Sequence, residues 1–246
     1  MHYEKALQEN YVIASFEERK NRIKEALGQY QSEKGLQYLG GEELMEESVA
    51  LTEYPVVLEG MFPEEFLQVP SECLILTMQK NQKYFPLQDK NNKLTHRFLL
   101  VANTVSSRPE AIIAGNQRVV KARLEDARFF YQEDQKKPLL SRLNDLKQVV
   151  YHHKLGSVYE KSERQGALAI FLAQKIGADP LASEKAARLG LADLNTEMVG
   201  EFPELQGVMG KYYALNEGIE PEIATAIEQR YWPRFAEDKL PEGKVA

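Results

Sequence analysis

The chain has 246 residues, 43% hydrophobic and 28% charged, with a net charge of −6. That suits one large or two ordinary globular domains and excludes an intrinsically disordered chain. Its single cysteine, Cys73, excludes a disulfide framework and a four-cysteine zinc site, and no apolar run approaches the roughly 18 residues of a membrane span.

The polar N-terminus, MHYEKALQEN, lacks the apolar core of a secretory leader, and one cysteine suits a reducing cytosol. Tyr11 to Tyr30 reads as an amphipathic helix with Ser15 as its cap and Glu18 three residues on. Gly40-Gly41 breaks the pattern, and Glu42 to Thr52 forms a second, acidic helix. Pro55 to Phe62, with Val56 and Val57, predicts a strand. A short helix opens at Pro70 or Ser71 and runs to Gln79. Tyr84 to Gln88 and Arg97 to Ala102 predict a hairpin, because Asp89 to Lys93 is turn chemistry. The longest helical pattern runs from Pro109 to about Gln135, and another begins at Pro138 and carries Leu143, Leu146, Val149 and Val150. Beyond Leu155 no strand is predicted: 157–176, 182–195, 204–215 and 221–231 all read as helices. The expected fold is α+β, with a mixed helix and antiparallel-strand region at 1–150 and an all-helical region at 151–246.

Between Arg108 and Lys154 there are ten Lys or Arg against six Asp or Glu, a net +4 that leaves about −10 elsewhere. A basic stretch in an acidic chain is compatible with an RNA contact, and equally with a solvated helix face. Gln79 to Phe85 mixes amides, cations and aromatics, a mixture that serves RNA surfaces and also helix-to-strand turns. Arg118, Lys121, Arg123 and Arg128 share one long helix, with Glu125 and Asp126 spaced to pair with Lys121 and Arg123. No phosphate-binding loop, G-x-G-x-x-G, G-x-S-x-G or H-E-x-x-H occurs. Cys73 lies in an apolar run and reads as core. His152-His153 read as a pair at a helix end, where their divergence of about 100° hinders joint ligation of one ion. Residue types alone define no active site.

Five segments carry a family resemblance: Tyr11 to Arg19, Leu51 to Val56, Met78 to Pro86, Gly115 to Tyr131 and Ala192 to Gly207. In this order they resemble the beta subunit of the bacterial two-subunit glycyl-tRNA synthetase across nearly the whole chain. The resemblance implies a central fragment of a longer subunit, without its N-terminal and C-terminal anticodon-binding regions. Residues 1–150 would be the latter part of an editing-type domain similar to that of phenylalanyl-tRNA synthetase, and 151–246 an HD-like helical domain. It implies a cytoplasmic, non-catalytic piece of an ATP-dependent glycine-tRNA ligase. Such a piece contributes to tRNA binding and assembly, with tRNA-Gly and the alpha subunit as partners and no membrane. ATP and magnesium would belong to the alpha subunit, with no cofactor in this fragment.

An HD site activates water on a metal through His, His-Asp and Asp ligands. Here the first His falls near Lys161 and the His-Asp pair on Ala192-Asp193, so the imidazoles are missing, no catalytic or metal residue is expected, and Asp193 reads as a cap or structural ion pair. The candidate tRNA contacts are Lys80, Lys83, Arg118, Lys121, Arg123 and Arg128, as charges on backbone phosphates. Two other readings remain open: a metal-dependent nucleotide phosphohydrolase using His152, His153 and Asp193, and a pure subunit scaffold.

Overall fold

A computed structural model describes residues 3–246, so His2 lies outside the described residues. The chain divides into two compact units, one ending at Arg128 and one from Phe129 to Ala246. The change from mixed to helical composition near residue 150 lies beyond that division.

In the N-terminal unit, α1 (Tyr3–Glu9) precedes α2 (Phe16–Lys34), β1 (Gln37–Tyr38), α3 (Glu42–Ala50) and β2 (Val56–Met61). Next come α4 (Ser71–Gln82), β3 (Phe85–Gln88), β4 (Leu94–Ala102) and α5 (Pro109–Gln135), which passes the division. Ser15 starts α2 as expected, its Oγ accepting the Glu18 N–H at 3.2 Å. The predicted hairpin is present. Asp89 closes its turn, its Oδ1 accepting the N–H groups of Asn91 and Lys93 at 2.8 and 2.9 Å. Four antiparallel strands form a sheet in the order β1-β3-β4-β2.

Strand alternation splits β4 between two faces. Leu99 joins Ile23, Leu27, Met45, Val49, Phe85 and Leu87 in a core that packs α2 and α3 on one face. Its neighbour Phe98 stacks on Tyr84 with ring centroids 4.8 Å apart. Across the ladder Phe98 faces Gly60, where an added methyl would drive into the ring, so glycine is the residue that admits it.

The C-terminal unit holds the end of α5, then α6 (Leu139–Arg142), β5 (Val150–His152), β6 (Gly156–Ser157), α7 (Val158–Ile176) and α8 (Pro180–Leu189). It closes with α9 (Glu197–Glu201), α10 (Val208–Asn216) and α11 (Pro221–Gln229). Four expectations are corrected here. The helix predicted from Pro138 to Val150 stops at Arg142, and β-branched Val149 and Val150 lead into β5 instead. A strand exists beyond Leu155, because β6 pairs antiparallel with β5. The helix predicted over 182–195 ends at Leu189, and 192–195 is a 3-10 turn. Similarly, α10 starts only at Val208, since Gly207 holds φ 87°, a left-handed conformation that interrupts a helix. Ser157 caps α7 through a reciprocal capping box with Glu160.

Candidate nucleic-acid interface and buried carboxylates

Four of the five resembling segments meet in pairs or tie distant chain together. In the N-terminal unit, Ile13 N–H donates to Glu53 O at 2.9 Å, and the Tyr11 and Tyr54 rings meet edge-on at 5.4 Å. Arg19 donates to Val49 O and Thr52 O at 2.7 and 2.5 Å. The first two segments therefore fasten α2 to the chain that enters β2.

The next pair forms the candidate interface. The Tyr84 hydroxyl donates to Asn116 Oδ1 at 2.5 Å, and the Asn116 amide donates onward to Ile112 O at 2.8 Å. Burial pushes the Tyr84 phenol up to about 12, so it remains a donor at neutral pH. Gln117 Oε1 accepts the Met61 N–H at 2.8 Å, fixing the same part of α5 against β2. Through this junction the end of α4, with Lys80 and Lys83, is joined to the stretch of α5 that bears Arg118.

The six candidate cations differ in how far they are engaged. Lys83 takes a left-handed conformation at the end of α4, pairs with Glu47 at 2.8 Å and donates to Lys80 O at 2.9 Å. Lys80 is exposed. Arg118 is exposed and makes no ion pair among the described residues. Lys121 and Arg123 pair with Glu125 and Asp126 at 3.7 and 3.9 Å, as their spacing predicts. Exposed pairs of this kind contribute at most about 1 kcal/mol, so a phosphate can compete for both cations. Arg128 is held more firmly: it pairs with Glu65 at 2.8 Å and lies over the Phe66 ring at 4.7 Å.

In the C-terminal unit the structure assembles two buried carboxylates. Asp193 is fully buried, and its Oδ2 accepts the N–H groups of Gly207 and Gly210 at 2.6 and 2.9 Å. Its Oδ1 has no partner among the described residues. Desolvation pushes its carboxyl up to about 6, opposed by those two N–H groups and by the charge of Arg230. Gly210 is required at this contact, since a methyl there would meet Ile227 at 2.7 Å and Asp193 Oδ2 at 3.1 Å.

Asp134, on the last turn of α5, is the second carboxylate and was not legible as a site residue. It accepts the N–H groups of Glu197 and Met198 at 2.9 and 3.0 Å and the Tyr213 hydroxyl at 2.8 Å. The buried Arg142 guanidinium pairs with it at 3.2 Å and reaches Asn195 O at 3.2 Å. A lone arginine among Leu139, Leu140 and Leu143 was the one available signal. Together Asp134 and Asp193 anchor the segment Ala192 to Gly207 through its backbone, which accounts for that segment structurally.

His152 and His153 sit on the β5–β6 ribbon and not at a helix end, with ring centroids 6.4 Å apart. His152 Nδ1 accepts the Lys154 N–H at 3.1 Å. Both line an open cleft of about 620 Å3 with Lys147, Ser157, Tyr159 and Glu160. Lys161, where the first HD histidine was expected, lies over the Tyr151 ring at 4.2 Å. Among the described residues no three His, Cys, Asp or Glu side chains are grouped to hold a metal ion. Among them, too, no helix is long and apolar enough to cross a membrane.

Fold and site together define an α+β protein with a basic junction in its strand-bearing unit and a helical unit pinned by buried carboxylates. The chain belongs to the glycyl-tRNA synthetase beta subunit family, whose pattern matches residues 1–246. It is 56% identical over 243 residues to the glycine–tRNA ligase beta subunit of Neisseria meningitidis serogroup A, covering 99% of this chain and 35% of that protein. The beta subunit of Aromatoleum aromaticum is 52% identical, with 98% of this chain and 34% of that protein covered. That of Nitrosomonas europaea is 51% identical over 95% of this chain and 33% of its own length. The chain thus spans about a third of the length of the curated relatives it matches.

Proposed function

We propose that this chain is a non-catalytic central part of a glycyl-tRNA synthetase beta subunit that contributes to tRNA binding and subunit assembly for ATP-dependent ligation of glycine to tRNA-Gly. The activated-glycine chemistry, with ATP and magnesium, belongs in this reading to the alpha subunit. The supporting observation is the Tyr84–Asn116 hydrogen bond, which joins two separate basic segments into one junction. Lys80 and Lys83 lie at the end of α4 just before Tyr84, and Arg118, Lys121, Arg123 and Arg128 lie on α5 after Asn116. Such charges hold phosphates and give affinity without reading sequence. Assembly is supported by an exposed apolar stripe on α7, formed by Leu168, Phe171, Leu172 and Ile176.

The test is tRNA binding by Lys80→Glu/Arg118→Glu at two or more salt concentrations. The double variant should bind tRNA-Gly more weakly and with a shallower salt dependence, by roughly one in log–log slope for each lost phosphate contact. Unchanged affinity in a variant with intact circular dichroism removes both residues from the interface. Binding to the alpha subunit without any tRNA binding favours the scaffold reading.

A further inference from the structure

The C-terminal unit contains an open cleft of about 250 Å3 between α7, α8 and α11, lined by Gln165, Ser183, Ala226 and Arg230 and by Val245 and Ala246. Ser183 is only 6% exposed, and its Oγ has no hydrogen-bond partner among the described residues. A buried hydroxyl left in that state costs free energy unless something in the cavity satisfies it. Arg230 spends one of its five N–H donors on Gln165 Oε1, at 3.3 Å, and makes no ion pair among the described residues. Because Gln165 accepts with its oxygen, its amide nitrogen is left as a donor. Glu163 and Glu184 do not compete for Arg230, since both pair with Arg188 at 2.5 and 3.7 Å. Tyr231 and Asp193 act on Arg230 through their charge; Asp193 Oδ2 accepts from Gly207 and Gly210, while its Oδ1 and the Tyr231 hydroxyl have no hydrogen-bond partner among the described residues. The cavity therefore presents a partly desolvated cation, with N–H donors beyond the one given to Gln165, beside the unpartnered Ser183 hydroxyl.

We propose that this cavity binds a phosphate-type oxyanion, with the Arg230 guanidinium as the charged contact and Ser183 Oγ and Gln165 Nε2 as neutral donors. A guanidinium presents paired N–H groups that match two oxygens of such an anion. The volume lies below the roughly 300 Å3 at which sites for whole organic ligands begin, so the cavity suits a phosphate group and not a nucleoside. This inference stands apart from the tRNA reading, which uses residues of the other unit.

The chain's only tryptophan, Trp232, lies two residues from Arg230 and supplies a fluorescence readout. Inorganic phosphate, titrated against sodium chloride at matched ionic strength, should give a saturable fluorescence change and a rise in melting temperature that chloride does not. Arg230→Met should abolish the phosphate-specific response, and Ser183→Ala should weaken it several-fold. AMP binding as well as phosphate would identify a terminal phosphomonoester as the ligand group; phosphate alone would identify the free anion. Equal responses to phosphate and chloride overturn the proposal, as does an Arg230→Met protein that binds like the wild type. Should that variant not fold, equal phosphate affinity in Ser183→Ala and wild type overturns it instead.

Discussion

Asp134→Ala lowers the unfolding free energy of the C-terminal unit by about 3–5 kcal/mol, the cost of stranding a buried charge partner. The substitution leaves the Arg142 guanidinium buried with only backbone carbonyls to receive it. It also strips acceptors from the Glu197 and Met198 N–H groups and from the Tyr213 hydroxyl. Asp134→Asn keeps the shape but sets an amide donor against at least one of these donors, and should cost about 1–3 kcal/mol. Tyr213→Phe removes a single bond and should cost about 1 kcal/mol. Urea unfolding followed by circular dichroism gives the ranking, as a fall in midpoint with an unchanged slope. An alanine variant no weaker than Tyr213→Phe would show that the network does not hold the unit together.

Asp193 should make the stability of the same unit fall as pH rises from about 4 to 6. Its folded pKa, about 6, lies above the ordinary carboxylate value. In that window the native state holds a proton that the unfolded chain has released, so each upward step in pH favours unfolding. Above the window both states are ionised, and the contribution is constant at a cost of roughly 2–4 kcal/mol relative to acid. Asp193→Asn can keep an oxygen toward Gly207 and Gly210 while removing the charge. The difference in unfolding free energy between wild type and Asp193→Asn, measured from pH 4 to 7.5, isolates this group from the other carboxylates. That difference should move in favour of the asparagine variant as pH rises. Parallel curves would mean that the Asp193 carboxylate is as well solvated folded as unfolded.

Neither carboxylate announces its role in the sequence, for a physical reason. Asp134 lies between Glu133 and Gln135 on a helix whose charged residues otherwise face solvent. Its burial depends on Glu197 and Met198, more than sixty positions away, arriving with their N–H groups unsatisfied. Where local chemistry decides, the sequence is a good guide. Pro109 starts α5 and its apolar period carries the helix to about Gln135, Ser15 caps α2 and Asp89 to Lys93 turns the hairpin, all as local chemistry predicts. Where elements are short it is not: β1, β5 and β6 have two or three residues each, too few to display a period. The candidate interface divides in the same way. Lys121–Glu125 and Arg123–Asp126 follow from helical spacing, whereas Lys83–Glu47 and Arg128–Glu65 are tertiary and invisible along the chain.

Cys73 adds an experimental consequence. The thiol is fully buried in the N-terminal unit, and desolvation holds it well above its ordinary ionisation range. Only the thiolate alkylates, so a reagent such as iodoacetamide must wait for that unit to open. With one cysteine in the chain, the labelling rate is a stopwatch on a single event, read by mass with no engineered probe. Labelling in the folded protein should be slow and should accelerate with urea well below the unfolding midpoint. Run on Asp134→Ala, the same stopwatch tells whether loosening the helical unit is felt across the division or stays where it was made: an unchanged rate means two independent melting units, and a faster one means a shared fate.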